Sequence, residues 1–204
     1  MRASERWANL TGSFHIAPEV AAEVFGELRD RYGEPGRVYH DLEHVEAMLA
    51  ALDGKNVPER EAVELAAWFH DAVYDSRRAD NEQRSADFAE KALERLKLDQ
   101  ALRGRVGQLI LATKTHAPTG DEAARYLLDA DLAVLGRAPS EYDFYARAIR
   151  QEYGWADEAR YKAGRAEVLH GFLDRERIYQ TSAFRHLEAP ARGNLRRELR
   201  ALVQ

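Results

Sequence analysis

Along this chain Leu, Ala, Val and Phe recur at every third or fourth position, with Glu and Arg between them. That period is helical, and the alternating β-branched runs of half-buried strands are missing. The pattern predicts an all-α fold, a single helical bundle of about eight to nine helices with essentially no sheet. Pro18 opens a first helix to about Tyr32, with Val20, Val24, Phe25 and Leu28 as its stripe. After the turn residues Gly33-Glu34-Pro35-Gly36, Arg37-Val38-Tyr39-His40 leads into a helix carrying Leu42, Val45, Met48, Leu49 and Leu52. Pro58-Glu59 starts a third helix, which ends near His70-Asp71. Further helices are expected over 81–98 (Asp80 capping), 100–113, 121–135, 140–154, 157–178 and 183–203. No repeat or linker divides the chain, so one domain spans 1–204, with the helices of 139–204 packed on a centre at about 37–136.

Composition narrows the chemistry. A chain of 204 residues, 45% apolar and 32% charged, buries a sizeable core and is not disordered. Its net charge of -5 argues against a general nucleic-acid or membrane-surface binder, though a local basic pocket for a phosphate stays compatible. With no Cys, any metal must be held by His, Asp or Glu. The start Met1-Arg2-Ala3-Ser4-Glu5-Arg6 lacks an apolar signal core, and no apolar run approaches membrane-spanning length, so a cytoplasmic location is expected. Apolar faces on the last helices are compatible with a monomer or a homodimer.

The stretch that demands partners is His70-Asp71, at the end of the apolar run Leu65-Ala66-Ala67-Trp68-Phe69. Buried polar groups without partners are costly. Upstream, His40 and His44 are spaced i, i+4, which on a helix places them on one face about 5–6 Å apart. Downstream, Asp129 and Asp131 interrupt an apolar run, and at i, i+2 only one of them faces the same partner. Adjacent helical residues point about 100° apart, so His70 and Asp71 meet at one ion only near a helix end. Each feature also has a plain structural reading: a cap, a backbone-bonded buried His, an exposed carboxylate. Together His44, His70, Asp71 and Asp131 supply two imidazoles and two carboxylates from three helices. Such mixed donors suit a divalent Mn, Fe, Co, Ni, Zn or Mg ion with positions left open.

This order resembles the HD-domain superfamily of metal-dependent phosphohydrolases. Tyr39-His40-Asp41-Leu42-Glu43-His44-Val45, Trp68-Phe69-His70-Asp71-Ala72-Val73-Tyr74-Asp75, Asp80-Asn81-Glu82 and Asp129-Ala130-Asp131-Leu132-Ala133-Val134-Leu135-Gly136 are similar to a bacterial subgroup of unassigned substrate. The likeness extends to Ile149-Arg150-Gln151-Glu152-Tyr153, Gly164-Arg165 and Ile178-Tyr179. It implies an HD-type bundle with His44, His70, Asp71 and Asp131 as metal ligands. Asp129 is the alternative to Asp131. His70 and Asp71 are the catalytic doublet, Asp71 positioning the attacking water. The implied reaction is hydrolysis of a small phosphorylated molecule, possibly a nucleotide; monoester, diester and pyrophosphate remain alternatives. An anionic phosphoryl group calls for cations, and the candidates are Arg37, Lys114, His116, Arg150 and Arg165. His40, Asp75 and Glu82 are further pocket candidates, and Tyr39, Trp68, Tyr74, Tyr145 and Tyr153 could line a base-stacking pocket. The competing readings are a ligand-sensing or regulatory domain of weak catalysis and a di-iron oxygenase using His40, Asp75 and His116.

Overall fold

The computed structural model describes residues 2–202, and among them every regular element is a helix. In chain order these are α1 (Ala3–Ser13), α2 (Pro18–Tyr32), α3 (Leu42–Leu52), α4 (Arg60–Phe69), α5 (Asn81–Arg95), α6 (Gln100–Ala112) and α7 (Glu122–Asp131). A 3-10 turn over Leu132–Gly136 leads to α8 (Pro139–Glu152) and α9 (Glu158–Leu173). A second 3-10 turn, Ser182–Leu187, runs into α10 (Glu188–Leu202). Met1 and the expected end of the last helix at Val203 lie outside the described residues. No helix among the described residues is long and apolar enough to cross a membrane.

The second half of α4, Leu65 to Phe69, is apolar on all sides, which places it in the middle of the bundle. Ala62, Val63 and all of Leu65 to Phe69 are buried, and α3, α5, α6 and α7 pack around them. Trp68 meets Trp7 edge to face at 5.4 Å and Phe25 at 6.1 Å. It is therefore a core residue rather than part of a base-stacking pocket. Each large apolar side chain buried here contributes about 1.5–3 kcal/mol. The C-terminal end of α4, from which His70 follows, is thus held on every side.

Three expectations need correction. The sequence pattern overlooks α1, whose apolar signal is little more than Trp7 and Leu10 among polar residues. The helix expected over 157–178 stops at Leu173. The backbone N–H groups of Ile178 and Tyr179 donate to the Glu188 carboxylate, and those of Gln180 and Thr181 donate to Asp129. Four consecutive donors are thus consumed by two carboxylates from other helices, which leaves that stretch outside any helix. Finally, Asp80 makes no capping bond to α5; its carboxylate takes Arg78 instead.

Candidate metal centre

Three helix ends bring the chemistry together. Asp41 caps α3, accepting from the N–H groups of Glu43 (2.9 Å) and His44 (3.1 Å), which sets His44 in the first turn. His70 caps the C-terminus of α4, and Asp131 is the last residue of α7. Their side chains converge: His44 Nε2 lies 3.3 Å from His70 Nε2, and Asp131 Oδ1 lies 3.1 Å from the first and 3.8 Å from the second. Asp71 Oδ2 stands 3.0 Å from His70 Nε2 and 4.0 Å from His44 Nε2. One donor atom each from His44, His70 and Asp131 falls within 4.8 Å of the others, close enough to hold a metal ion.

The donor set fits a cation in detail. His70 Nδ1 lies 2.9 Å from the Ala67 carbonyl and must carry the proton it donates there. Nε2 is thereby the nitrogen turned toward the cluster, and the Nδ1 bond is the usual outer support of a metal-binding imidazole. Two nitrogens on one ion at ~2.0–2.1 Å stand ~3.0–3.4 Å apart, which brackets the observed spacing. Asp131 Oδ2, the oxygen turned away from the pair, is 2.7 Å from His116 Nε2. His116 itself adopts a left-handed backbone, φ 48°, unusual for a residue with a side chain. Arg175 donates to the carbonyls of Thr115 and His116 and so fastens that turn.

Charge is concentrated here. Burial pushes His70 down, but the charge and hydrogen bond of Asp71, with Asp131 beyond, overcome it and raise the imidazole to about 9. Burial pushes Asp71 up, and His70 outweighs it, holding the carboxyl well below the usual range. Asp131 is held low in the same way, burial being overcome by hydrogen bonds from His116 and His44.

The two neighbouring acids of α7 separate cleanly. Asp129 is fully enclosed and accepts from Gln180 N (2.8 Å), Thr181 N (2.7 Å) and Thr181 Oγ1 (2.7 Å). It fastens the non-helical segment and takes no part in the cluster; neither acid of the pair is an exposed carboxylate between core positions.

His40 is not on α3, so the helical i, i+4 relation to His44 does not hold; the two rings nonetheless lie 6.0 Å apart. What places His40 is a residue given no role in the sequence reading, Glu152. Its side chain is fully buried, and Oε1 accepts from the N–H groups of Val38, Tyr39 and His40 at 2.8, 2.8 and 3.0 Å. Oε2 lies 2.6 Å from His40 Nδ1 and accepts the Tyr74 hydroxyl at 3.2 Å. Burial raises the Glu152 carboxyl, but the His40 contacts prevail and lower it to about 2. A signal was present: Tyr142, Tyr145, Ile149 and Glu152 follow helical spacing, so the acid occupies an apolar-stripe position. His40 stacks on Tyr74 at 4.2 Å, and its Nε2 is the ring edge left available.

His70, Asp71 and Asp131 line a cleft of about 610 Å³, whose walls include Tyr39, Tyr74, Tyr145, Tyr153, Trp155 and Phe172, while His44 lines the neighbouring cleft. Of the expected cationic residues, His116, Lys114 and Arg165 line it, as does Arg160, which the sequence reading did not single out. Glu82 and His40 line it as well. Arg37 does not. Its buried guanidinium donates to the carbonyls of His40 (3.1 Å), Asp71 (2.6 Å) and Ala72 (3.1 Å), strapping the two motif loops together. Arg150 also turns away, donating to the carbonyls of Tyr153 and Ala156 and covering the Tyr161 ring at 4.5 Å. Asp75 is exposed and outside the cleft, its carboxylate accepting from Arg77 N. Comparison of the chain with family models, with curated proteins and with solved structures returns no match.

Proposed function

We propose that this protein is an HD-type, metal-dependent phosphohydrolase acting on a small phosphorylated molecule, with His44, His70, Asp71 and Asp131 as the donor set. The observation that carries the reading is the bond of His70 Nδ1 to Ala67, which leaves Nε2 facing His44, Asp71 and Asp131 beside a ligand-sized cleft. A divalent Mn, Fe, Co, Ni, Zn or Mg ion held there would supply Lewis acidity at a phosphoryl oxygen and make water a better nucleophile.

The chain's own residues do the rest. Asp71, beside His70 and on the cleft wall, orients the attacking water and accepts its hydrogen bond. His116 holds the outer oxygen of Asp131, so that the inner one keeps its direction. Lys114 on the lip faces the negative charge of the phosphate, whereas Arg165 on the wall has its own charge met by Glu198. His40, its Nδ1 engaged by Glu152, offers its Nε2 edge to the departing oxygen.

The test is direct. Protein loaded in turn with Mn, Co, Ni, Zn or Mg, its metal content measured, is offered p-nitrophenyl phosphate and nucleoside monophosphates. Phosphate release that disappears on chelation and in His70→Ala is expected. No release from protein carrying a full complement of any of these metals would remove the proposal.

A further inference from the structure

Besides the donor His70, five basic side chains line the larger cleft: His40, Lys114, His116, Arg160 and Arg165. Three of them already have a carboxylate. His40 Nδ1 lies 2.6 Å from Glu152, His116 Nε2 lies 2.7 Å from Asp131, and Arg165 Nε donates to Glu198 at 2.7 Å. Lys114, two positions before His116, serves the phosphoryl group. Arg160 is the cation left over.

Arg160 sits in the first turn of α9, where Asp157 accepts its backbone N–H at 2.8 Å. Among the described residues its guanidinium forms no ion pair and no hydrogen bond; it rests on the face of Trp155, Cζ 4.9 Å from the ring centroid. Glu82, the acid of the lining outside the donor cluster, does not pair with it. Arg37 and Arg150 show the contrast, since both spend their donors on backbone carbonyls. The ring beneath Arg160 is itself anchored. The Trp155 indole N–H donates to Ser76 Oγ at 2.9 Å, and Ser76 Oγ donates to the Glu152 carbonyl at 2.8 Å. Glu152 is also the acid that places His40, so one set of bonds ties the wall beside the donor cluster to the ring that carries Arg160. A guanidinium stacked on an aromatic face keeps its planar fork of donors free, and that fork matches a carboxylate or a phosphate.

We propose that Arg160 is a specificity-determining residue that binds a second anionic group of the substrate, a carboxylate or a further phosphate, while the phosphoryl group to be released lies at the donor cluster. The inference rests on the phosphohydrolase reading and names its substrate class: small phosphate esters whose organic part carries another negative charge. In the reaction the oxygen of water bonds to phosphorus and the bond from phosphorus to the ester oxygen breaks. The departing oxygen keeps the electron pair and gains a proton, the water loses one, and the second anionic group is unchanged.

The experiment measures kcat/KM on the metal-loaded full chain for phenyl phosphate, p-carboxyphenyl phosphate, p-(carboxyethyl)phenyl phosphate and hydroquinone bisphosphate. The two carboxylates differ in reach, and the bisphosphate separates a phosphate from a carboxylate as the second group. Each is expressed as a ratio to phenyl phosphate, so differences in intrinsic reactivity cancel when variant is compared with wild type. Wild type is expected to favour at least one of the three doubly anionic esters. Arg160→Met should lower that ratio by ~10-fold or more, the ordinary worth of a charge-assisted hydrogen bond, with the effect in KM. Arg160→Glu should lower it further, and Arg160→Lys should keep part of it. Arg160 is exposed, so these variants should fold, and circular dichroism checks each. A merely structural role would slow all four esters together and leave the ratio unmoved. An active wild type that prefers none of the three, or a preference that survives in both Arg160→Met and Arg160→Glu, overturns the inference. A metal-loaded wild type that hydrolyses none of the four removes the phosphohydrolase reading and this inference with it, a result distinct from an active enzyme indifferent to Arg160.

Discussion

Asp129 and Asp131 stand two residues apart on α7 and do different work, so replacing each with Ala should separate the structural acid from the metal ligand. Asp129 accepts three hydrogen bonds in a fully enclosed position. Its removal strands the N–H of Thr181, which is buried, together with the Gln180 N–H and the Thr181 hydroxyl. The hydroxyl can rotate to another acceptor, and Gln180 is partly within reach of water. The full penalty therefore falls on one donor and a partial penalty on two. At about 1–3 kcal/mol for each unsatisfied group, Asp129→Ala should cost about 3–5 kcal/mol. With a urea slope of about 2–3 kcal/mol/M, the unfolding midpoint should fall by about 1–2 M. Bound metal per folded chain should stay at the wild-type level. Asp131→Ala removes a carboxylate that His116 and His44 hold well below the usual range, so the metal-free midpoint should fall as well. Its metal affinity should drop at least ~100-fold, the upper range for losing even an outer support of a ligand. Urea unfolding of metal-free protein followed by circular dichroism, with elemental analysis of desalted protein, reads both quantities. Wild-type stability in Asp129→Ala, or metal lost there and kept in Asp131→Ala, would refute the assignment.

Three further outcomes follow from the same geometry. The folded Glu152 carboxyl titrates at about 2 against an ordinary 4.5, so its stabilisation is complete above pH 4.5 and is lost as pH falls toward 2. Glu152→Gln should therefore trail wild type by about 3 kcal/mol at pH 7 and converge on it in acid; parallel stability curves would contradict this. His70, raised from 6.5 to about 9, is protonated in the metal-free protein at neutral pH, so loading a divalent ion should release about one proton. Calorimetry in buffers of different ionisation enthalpy detects that proton, and buffer-independent heats would count against it. In the metal-free protein the His70 contribution to stability runs the other way, complete below pH 6.5 and lost as pH rises through about 9. Gly136→Ala would place a Cβ 2.6 Å from the Leu187 Cβ and 2.9 Å from its carbonyl oxygen, forcing the two 3-10 turns apart. A loss of about 1–3 kcal/mol in urea unfolding is expected, and an unchanged midpoint would show that the turns separate freely.

Much of the fold was legible because helical period is a local property. The stripes of α2, α3 and α5 and the breaks at Gly33–Gly36 and Asp53-Gly54 follow from neighbours a few residues away. The non-helical stretch at 178–181 was not legible. Its donors are claimed by Asp129 and Glu188, and nothing within the stretch announces either partner. The cationic residues divided for a similar reason. Lys114, Arg37 and Arg150 look alike in sequence, yet Lys114 reaches the cleft while the two arginines spend their donors on backbone carbonyls.

By itself the sequence determined an all-helical chain without thiols, carrying His44, His70-Asp71 and the pair Asp129/Asp131 at places where polar groups need partners. Tertiary structure alone decided which acid serves which partner. On a helix, residues i and i+2 point roughly 200° apart, so one faces the cluster while the other cannot. Which way each points depends on what stands opposite: His44 and His116 for Asp131, and Gln180 and Thr181 for Asp129. Those partners lie 15 to 87 positions away along the chain, beyond the reach of any local pattern.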